Sequence, residues 1–237
     1  IKFHKTITRT MSPTILRKEM QTDIHENIIP YLNRNYDNKI RRAIIKSSHL
    51  PMIFNPIRYF SKKTNNDWYI FYYANSKKHA DDAACLAISL VQSNEGTYVY
   101  EQVVSGNPND PIYIFPPHFF SRYHSRFLKD KPISKMDLIT HYLKNNYIGF
   151  ITAGKTWENR CVMSTTSGYA FGEVLDFDEY LFIFKTYITK DLIRDNQTFV
   201  KTFNQLEEQN MLKELVNMKD PDKYLLESCD FYLNAKF

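Results

Sequence analysis

The chain has 237 residues, of which 43% are hydrophobic and 15% aromatic, with 17 Tyr and 17 Phe. That excludes a disordered chain and gives enough apolar material for one large domain or two small ones. The net charge is +5, no apolar run is long enough to span a bilayer, and the first residues lack a charged-then-apolar leader pattern, so a cytoplasmic protein with no membrane partner is expected.

Charge is uneven along the chain. Residues 1–63 balance at +9, residues 64–117 at −4, residues 118–160 at +5 and residues 161–237 at −5. Two basic segments meeting in space would form a phosphate-attracting surface, whereas packing against the acidic segments would cancel them. Cys85, Cys161 and Cys229 are odd in number, far apart and without CxxC spacing, which predicts reduced, buried thiols and no zinc or disulfide framework. Abundant Ile, Lys, Asn and Tyr has the flavour of an AT-rich bacterial genome.

In chain order, Ser12-Pro13 predicts a helix start, with Ser as the cap and Pro at the first position. Ile15, Met20, Ile24, Ile28 and Leu32 keep a helical stripe over 13–48, which Pro30 should kink or divide. A second helix is expected over Asn38 to Ser47, and 49–67 reads as a proline-punctuated connector. WYIFYYA (68–74), CLAISLVQ (85–92), TYVYEQV (97–103) and PIYIF (111–115) are aromatic and β-branched runs bounded by turn residues, hence strands, with SNEG closing a hairpin. KHADDAAC (78–85) could instead begin a helix. Pro116-Pro117 ends the fourth run and starts a helix over 118–128. Ser134 opens another, with Asp137 three residues on in a capping-box-like arrangement. YIGFITA (147–153), RCVMSTT (160–166), YAFGEVLDF (169–177) and YLFIFKTYIT (180–189) read as a second meander. Residues 190–217 and 221–234 close the chain as helices.

The fold class is therefore α+β: antiparallel strand meanders, as one sheet or two abutting ones, flank a central helix pair, with helices at both ends. Residues 1–63 read as an N-terminal helical segment and 64–237 as the α+β domain, or all of it as one domain.

The segment PPHFFSRYHSRF (116–127) carries the chemistry that the sequence offers. On an α-helix, His118, Arg122 and Arg126 form one slanting row beside Ser121 and Ser125, and Phe119, Tyr123 and Phe127 form another. The aromatic row anchors and the basic row faces outward. In the first turn the helix dipole disfavours protonation of His118 and favours anions. An imidazole beside two guanidiniums can hold a phosphate and move a proton. The plainer reading is a solvated helix face whose arginines pair with acids in EVLDFDE (173–179). His118 and His124 lie on different faces and are no metal pair; no cofactor is implied. His141 has Asp137 four residues before it. In FKTYIT (184–189), strict alternation places Lys185, Tyr187 and Thr189 on one face, able to contact phosphate and stack a base, and Phe184, Thr186 and Ile188 on the other. GxSxG, GxGxxG, the P-loop pattern and HExxH are absent.

This succession of an HxxxRxxxR helix, a second helix and a meander ending in FKTYIT resembles the RelE-like toxin nucleases of bacterial toxin–antitoxin systems over about residues 112–190. In general style the chain is also similar to large proteins of gut Bacteroidetes. The nuclease resemblance implies RNA, or another phosphate-bearing ligand, as partner and metal-independent cleavage. His118, Arg122, Arg126 and Tyr187 would be catalytic and Lys185 substrate-binding. The chain is two to three times the usual size of such a toxin, and its 161–237 segment is acidic. The alternative is a non-catalytic α+β interaction module with a protein partner or a second copy of itself, using the many Tyr and Phe for contacts.

Overall fold

A computed structural model describes residues 5–36, 38–105, 107–129, 131–146, 149–153 (backbone only) and 159–190. The helices expected over 190–217 and 221–234, and Cys229, lie outside the described residues.

Helix α1 (Pro13–Asp23) begins as its sequence dictates, with the Ser12 hydroxyl accepting from the Ile15 N–H at 3.5 Å and Pro13 at the first position. Pro30 does not end the helical segment. A π turn over Ile24–Ile28 comes just before it, and α2 (Ile29–Asn35) carries on. The widened turn absorbs the hydrogen bond that the proline ring cannot donate. Helix α3 spans Asn38–Lys46. The connector holds two short strands, β1 (Met52–Ile53) and β2 (Ile57–Phe60), both paired to β3 (Asp67–Ala74). The stretch that could have begun a helix supplies only a 3₁₀ turn, Lys77–Ala80, before β4 (Ala84–Ser93).

Strands β5 (Gly96–Val103) and β6 (Ile112–Phe115) complete the first meander. Helices α4 (Pro117–Tyr123) and α5 (Lys135–Asn146) follow, then β7 (Gly149–Ala153), β8 (Arg160–Thr165), β9 (Gly168–Asp176) and β10 (Leu181–Thr189). The fold is α+β, and the two meanders form one mixed sheet in the order β1-β3-β4-β5-β6-β10-β9-β8-β7, with β2 also on β3. The joint is parallel: Leu181, Phe182 and Ile183 of β10 register with Ile112, Tyr113 and Ile114 of β6, while every other pairing is antiparallel.

Helices cover both faces. Leu16, Met20, Ile28 and Ile44 of the N-terminal helices pack with Trp68, Tyr72 and Tyr100 on one. On the other, Phe119, Phe120 and Tyr123 of α4 and Ile139 and Tyr142 of α5 pack with Val99, Phe115, Phe184 and Tyr187. Helix α5 contacts β1 near one end of the strand order, and its Asn146 accepts from Thr165 and Ser167 at the β8–β9 turn near the other. The strands therefore wrap around the central helix pair, as a twisted sheet of this width tends to do.

Arg17 on α1 ties the halves together. It donates to the carbonyls of Pro108 and Asp110 at 2.8 and 3.0 Å and pairs with the Glu179 carboxylate at 3.0 Å in the β9–β10 turn. Replacing it leaves these acceptors buried without a donor. Arg17→Met is therefore expected to lower stability by about 2–4 kcal/mol, measured as a urea-midpoint shift at unchanged slope. Among the described residues, no helix is long and apolar enough to cross a membrane.

Candidate functional site

Helix α4 is two-faced, as its residue pattern requires. Phe119, Phe120 and Tyr123 are buried, and His118, Arg122 and Arg126 are exposed. The regular helix stops at Tyr123, however, and His124–Leu128 form a π turn that ends at Lys129 in the left-handed conformation. Arg126 belongs to that turn. It reaches back to β10 and donates to the Tyr187 carbonyl at 2.6 Å. Strand β6 has ended by this point, and its pairing with β10 runs only to Ile183, so the guanidinium serves a carbonyl beyond the paired stretch. Arg122 has no side-chain partner among the described residues.

His118 sits at the head of α4, beside the β4–β5 turn. Gly96 in that turn has φ +122°, and a Cβ added to it would lie 3.0 Å from the Cβ of Pro117. This contact brings Glu95 close enough to His118 for the imidazole to act on its charge. A hydrogen bond from the Tyr98 hydroxyl holds the Glu95 carboxyl below its ordinary value; burial opposes it, and Arg9 and then His118 add smaller pulls in the same direction as Tyr98. Arg9 pairs with Glu95 at 2.9 Å and lies over the Tyr98 ring. Arg9, Glu95 and His118 thus stand around the start of α4, and Arg122 lies in its last turn. Glu95 and Arg9 escaped the sequence reading because 23 residues separate Glu95 from His118.

The two β10 residues do not join this surface. Phe184 pairs with Gly172 and Thr186 with Phe171, so Lys185 is the extra residue of a β-bulge. A bulge reverses the alternation, and Lys185 and Tyr187 do not share a face as strict alternation predicted. Lys185 is exposed and paired with Glu173 at 2.5 Å. Tyr187 is fully buried beneath α4, its hydroxyl 3.0 Å from the Asn146 side-chain oxygen and 2.8 Å from the Ser167 hydroxyl. Burial raises its pKa above the ordinary phenol value, although hydrogen bonds with Ser167 and Thr165 pull the other way.

Comparison with protein-family models, with curated proteins and with solved structures finds no match in any of the three.

His141 does not use Asp137. That carboxylate accepts from the Ser134 hydroxyl, at 2.6 Å, in the expected cap. The His141 Nδ1 instead lies 3.0 Å from the Tyr123 hydroxyl, and burial lowers the imidazole below its ordinary value. Cys85 and Cys161 are free and buried, and burial pushes both thiols up to about 12, which leaves them protonated and unreactive at neutral pH. Among the described residues, no cluster of three or more His, Cys, Asp or Glu is placed to hold a metal ion.

Strand β5 carries another acid that the sequence reading passed over. Glu101 lies on the same face as Val99, buried against the helix pair, and burial pushes its carboxyl up to about 8. The signal was an acid at an inward position of the run TYVYEQV.

Proposed function

We propose that the protein binds RNA along the exposed face of α4 and cleaves it there without a metal ion. The observation that carries this reading is the placement of the Glu95 carboxylate beside the His118 imidazole, with Arg9 and Arg122 alongside. In-line transphosphorylation needs these groups. Glu95, ionised at neutral pH, takes the proton of the 2′-hydroxyl as that oxygen attacks phosphorus. Protonated His118 gives its proton to the departing 5′-oxygen, leaving a 2′,3′-cyclic phosphate. Arg122, and Arg9 when released from Glu95, neutralise the phosphate oxygens. This mechanism retains His118 and Arg122 of the RelE-like reading, gives Arg126 a structural role, and uses neither Lys185 nor Tyr187.

An interaction module of the alternative kind would have its helix arginines taken up by acidic side chains. Arg122 meets none among the described residues, and Arg126 goes to a backbone carbonyl. That favours a polyanion as partner. Wild-type protein is expected to cut an end-labelled RNA oligonucleotide in EDTA, and to spare the same oligonucleotide carrying 2′-deoxyribose. His118→Ala and Glu95→Gln should each slow cleavage by about 10²–10⁴-fold. Arg122→Ala should weaken binding and flatten its salt dependence by about one phosphate contact. RNA bound but left intact by the wild type would sink the cleavage, and RNA left unbound in fluorescence anisotropy would sink the whole reading.

A further inference from the structure

We infer that Arg9 is a latch on Glu95 which the substrate itself releases: an incoming phosphate draws the guanidinium away and so frees the carboxylate to act as the base. This inference rests on the reading of the α4 surface as an RNA-cleaving site. The two oxygens of Glu95 have different partners. Oε2 accepts from the Tyr98 hydroxyl, and Oε1 pairs with the Arg9 guanidinium at 2.9 Å. A general base needs an open lone pair facing the 2′-hydroxyl. A guanidinium on that oxygen obstructs the approach and weakens the hold of the carboxylate on a proton. With both oxygens engaged, Glu95 is an encumbered base, and one partner has to leave before it can work.

Arg9 is the partner placed to move. Its segment is anchored on both sides. Before it, the Lys5 ammonium donates to the Leu90 carbonyl at 3.0 Å, the N–H groups of Thr6 and Ile7 donate to the Asn66 side-chain oxygen at 3.1 and 3.3 Å, and Ile7 is buried. After it, Ser12 caps α1. Between these anchors Thr8, Arg9 and Thr10 form an exposed turn. The backbone of Arg9 is thereby held near Glu95 while its side chain can swing. The guanidinium carbon lies 5.2 Å from the centre of the Tyr98 ring. An arginine has five N–H donors, so a phosphate can be gripped by outward donors before Glu95 is let go. The exchange is easy, because the paired side chains are 47% and 56% exposed and an exposed ion pair is weak. Tyr98 is buried on β5 and stays behind, keeping the carboxylate oriented through Oε2. Oε1 then takes the 2′-hydroxyl proton as that oxygen bonds to phosphorus, while the bond to the 5′-oxygen breaks and His118 supplies its proton.

The test is a double-mutant cycle on binding, read by fluorescence anisotropy at neutral pH and low salt. The probe is an end-labelled 2′-O-methyl RNA oligonucleotide, which lacks the attacking hydroxyl and stays whole. The full-length wild type, Glu95→Gln, Arg9→Ala and the double variant are compared; both side chains are exposed, so the fold is not at stake. Glu95→Gln undoes the latch in advance and should bind about two- to fivefold more tightly than the wild type, although it cleaves RNA far more slowly. In the Arg9→Ala background the same substitution should bring little or no gain, since no guanidinium is left to release. An equal gain in both backgrounds would mean that Glu95 merely repels the phosphate, and no gain in either would mean that Arg9 is not contested. Either result overturns the latch and leaves the RNA site standing. Absence of binding by all four proteins would sink the RNA reading and the latch with it.

Discussion

Asp23→Ala is expected to destabilise the protein by at least about 4 kcal/mol. Asp23 is fully buried at the end of α1, and five side-chain donors converge on its two oxygens. Asn27 and Ser61 donate to one oxygen at 2.7 and 2.6 Å; Thr64, Asn66 and the Trp68 indole donate to the other at 2.6, 2.9 and 2.8 Å. A carboxylate offers about four lone-pair sites, so its capacity is filled. Asn66 in turn accepts from the backbone N–H groups of Thr6 and Ile7. One carboxylate thus joins α1, the β2–β3 hairpin and the N-terminal segment. Alanine would strand these donors in the core, each at a cost of about 1–3 kcal/mol. Asn in place of Asp keeps the shape but points an N–H₂ at other donors, and should lose nearly as much. Urea denaturation measures both, with Asn27→Ala, which removes one donor from a partly buried side chain, as the mild control.

The same carboxylate sets an acid limit. Burial alone would raise its pKa, but hydrogen bonds from Ser61, Thr64, Asn66 and Trp68 together outweigh that and hold it below the ordinary value. A depressed folded-state value means that the stabilisation is complete above the unfolded-state value, and that it is lost as pH falls through the lower folded-state one. The wild type should lose stability on this acid limb, and a folded Trp68→Phe variant, with one donor fewer, should lose it at a higher pH.

The parts of the fold that were legible in the sequence are those whose cause is local. Ser12-Pro13 and Ser134-Asp137 start helices through hydrogen bonds spanning three residues. The strand runs declare themselves because aromatic and β-branched side chains suit a pleated surface. The two-faced character of 118–123 follows from helical spacing alone. Local cues failed where partners are remote. Strands β1 and β2 lie among Pro51 and Pro56 and exist because the edge of β3 needs pairing. The parallel contact of β6 with β10 spans α4, α5 and three strands. The bulge at Lys185 left one trace, Gly172 inside a strand run. A Cβ there would lie 2.0 Å from the Ile183 carbonyl oxygen, and a lone glycine in a strand signals such an approach. The meeting of Glu95 with His118 depends on Gly96 touching Pro117, which no spacing rule reveals.

Glu101→Met is expected to stabilise the protein, and to do so more as pH rises. Burial pushes the Glu101 carboxyl up to about 8, far above its value in an unfolded chain. A raised acid works in the opposite sense to Asp23. Below about pH 4 both states carry the proton and the residue is neutral in its effect. Between about pH 4.5 and pH 8 the unfolded chain releases the proton and the folded one keeps it, so stability falls as pH rises. Above pH 8 the penalty is complete, on the order of 4 kcal/mol. Methionine has a similar length and no charge to desolvate, so at pH 9 the variant should exceed the wild type by about 2–4 kcal/mol, and this descending limb should disappear from its profile. Urea midpoints at pH 5, 7 and 9 read both effects. A wild-type profile without the fall from pH 5 to pH 9 would mean that Glu101 is hydrated or paired in solution. Wild type and Glu101→Met profiles that run together at pH 5 and part by pH 9 would assign the descending limb to this one carboxylate.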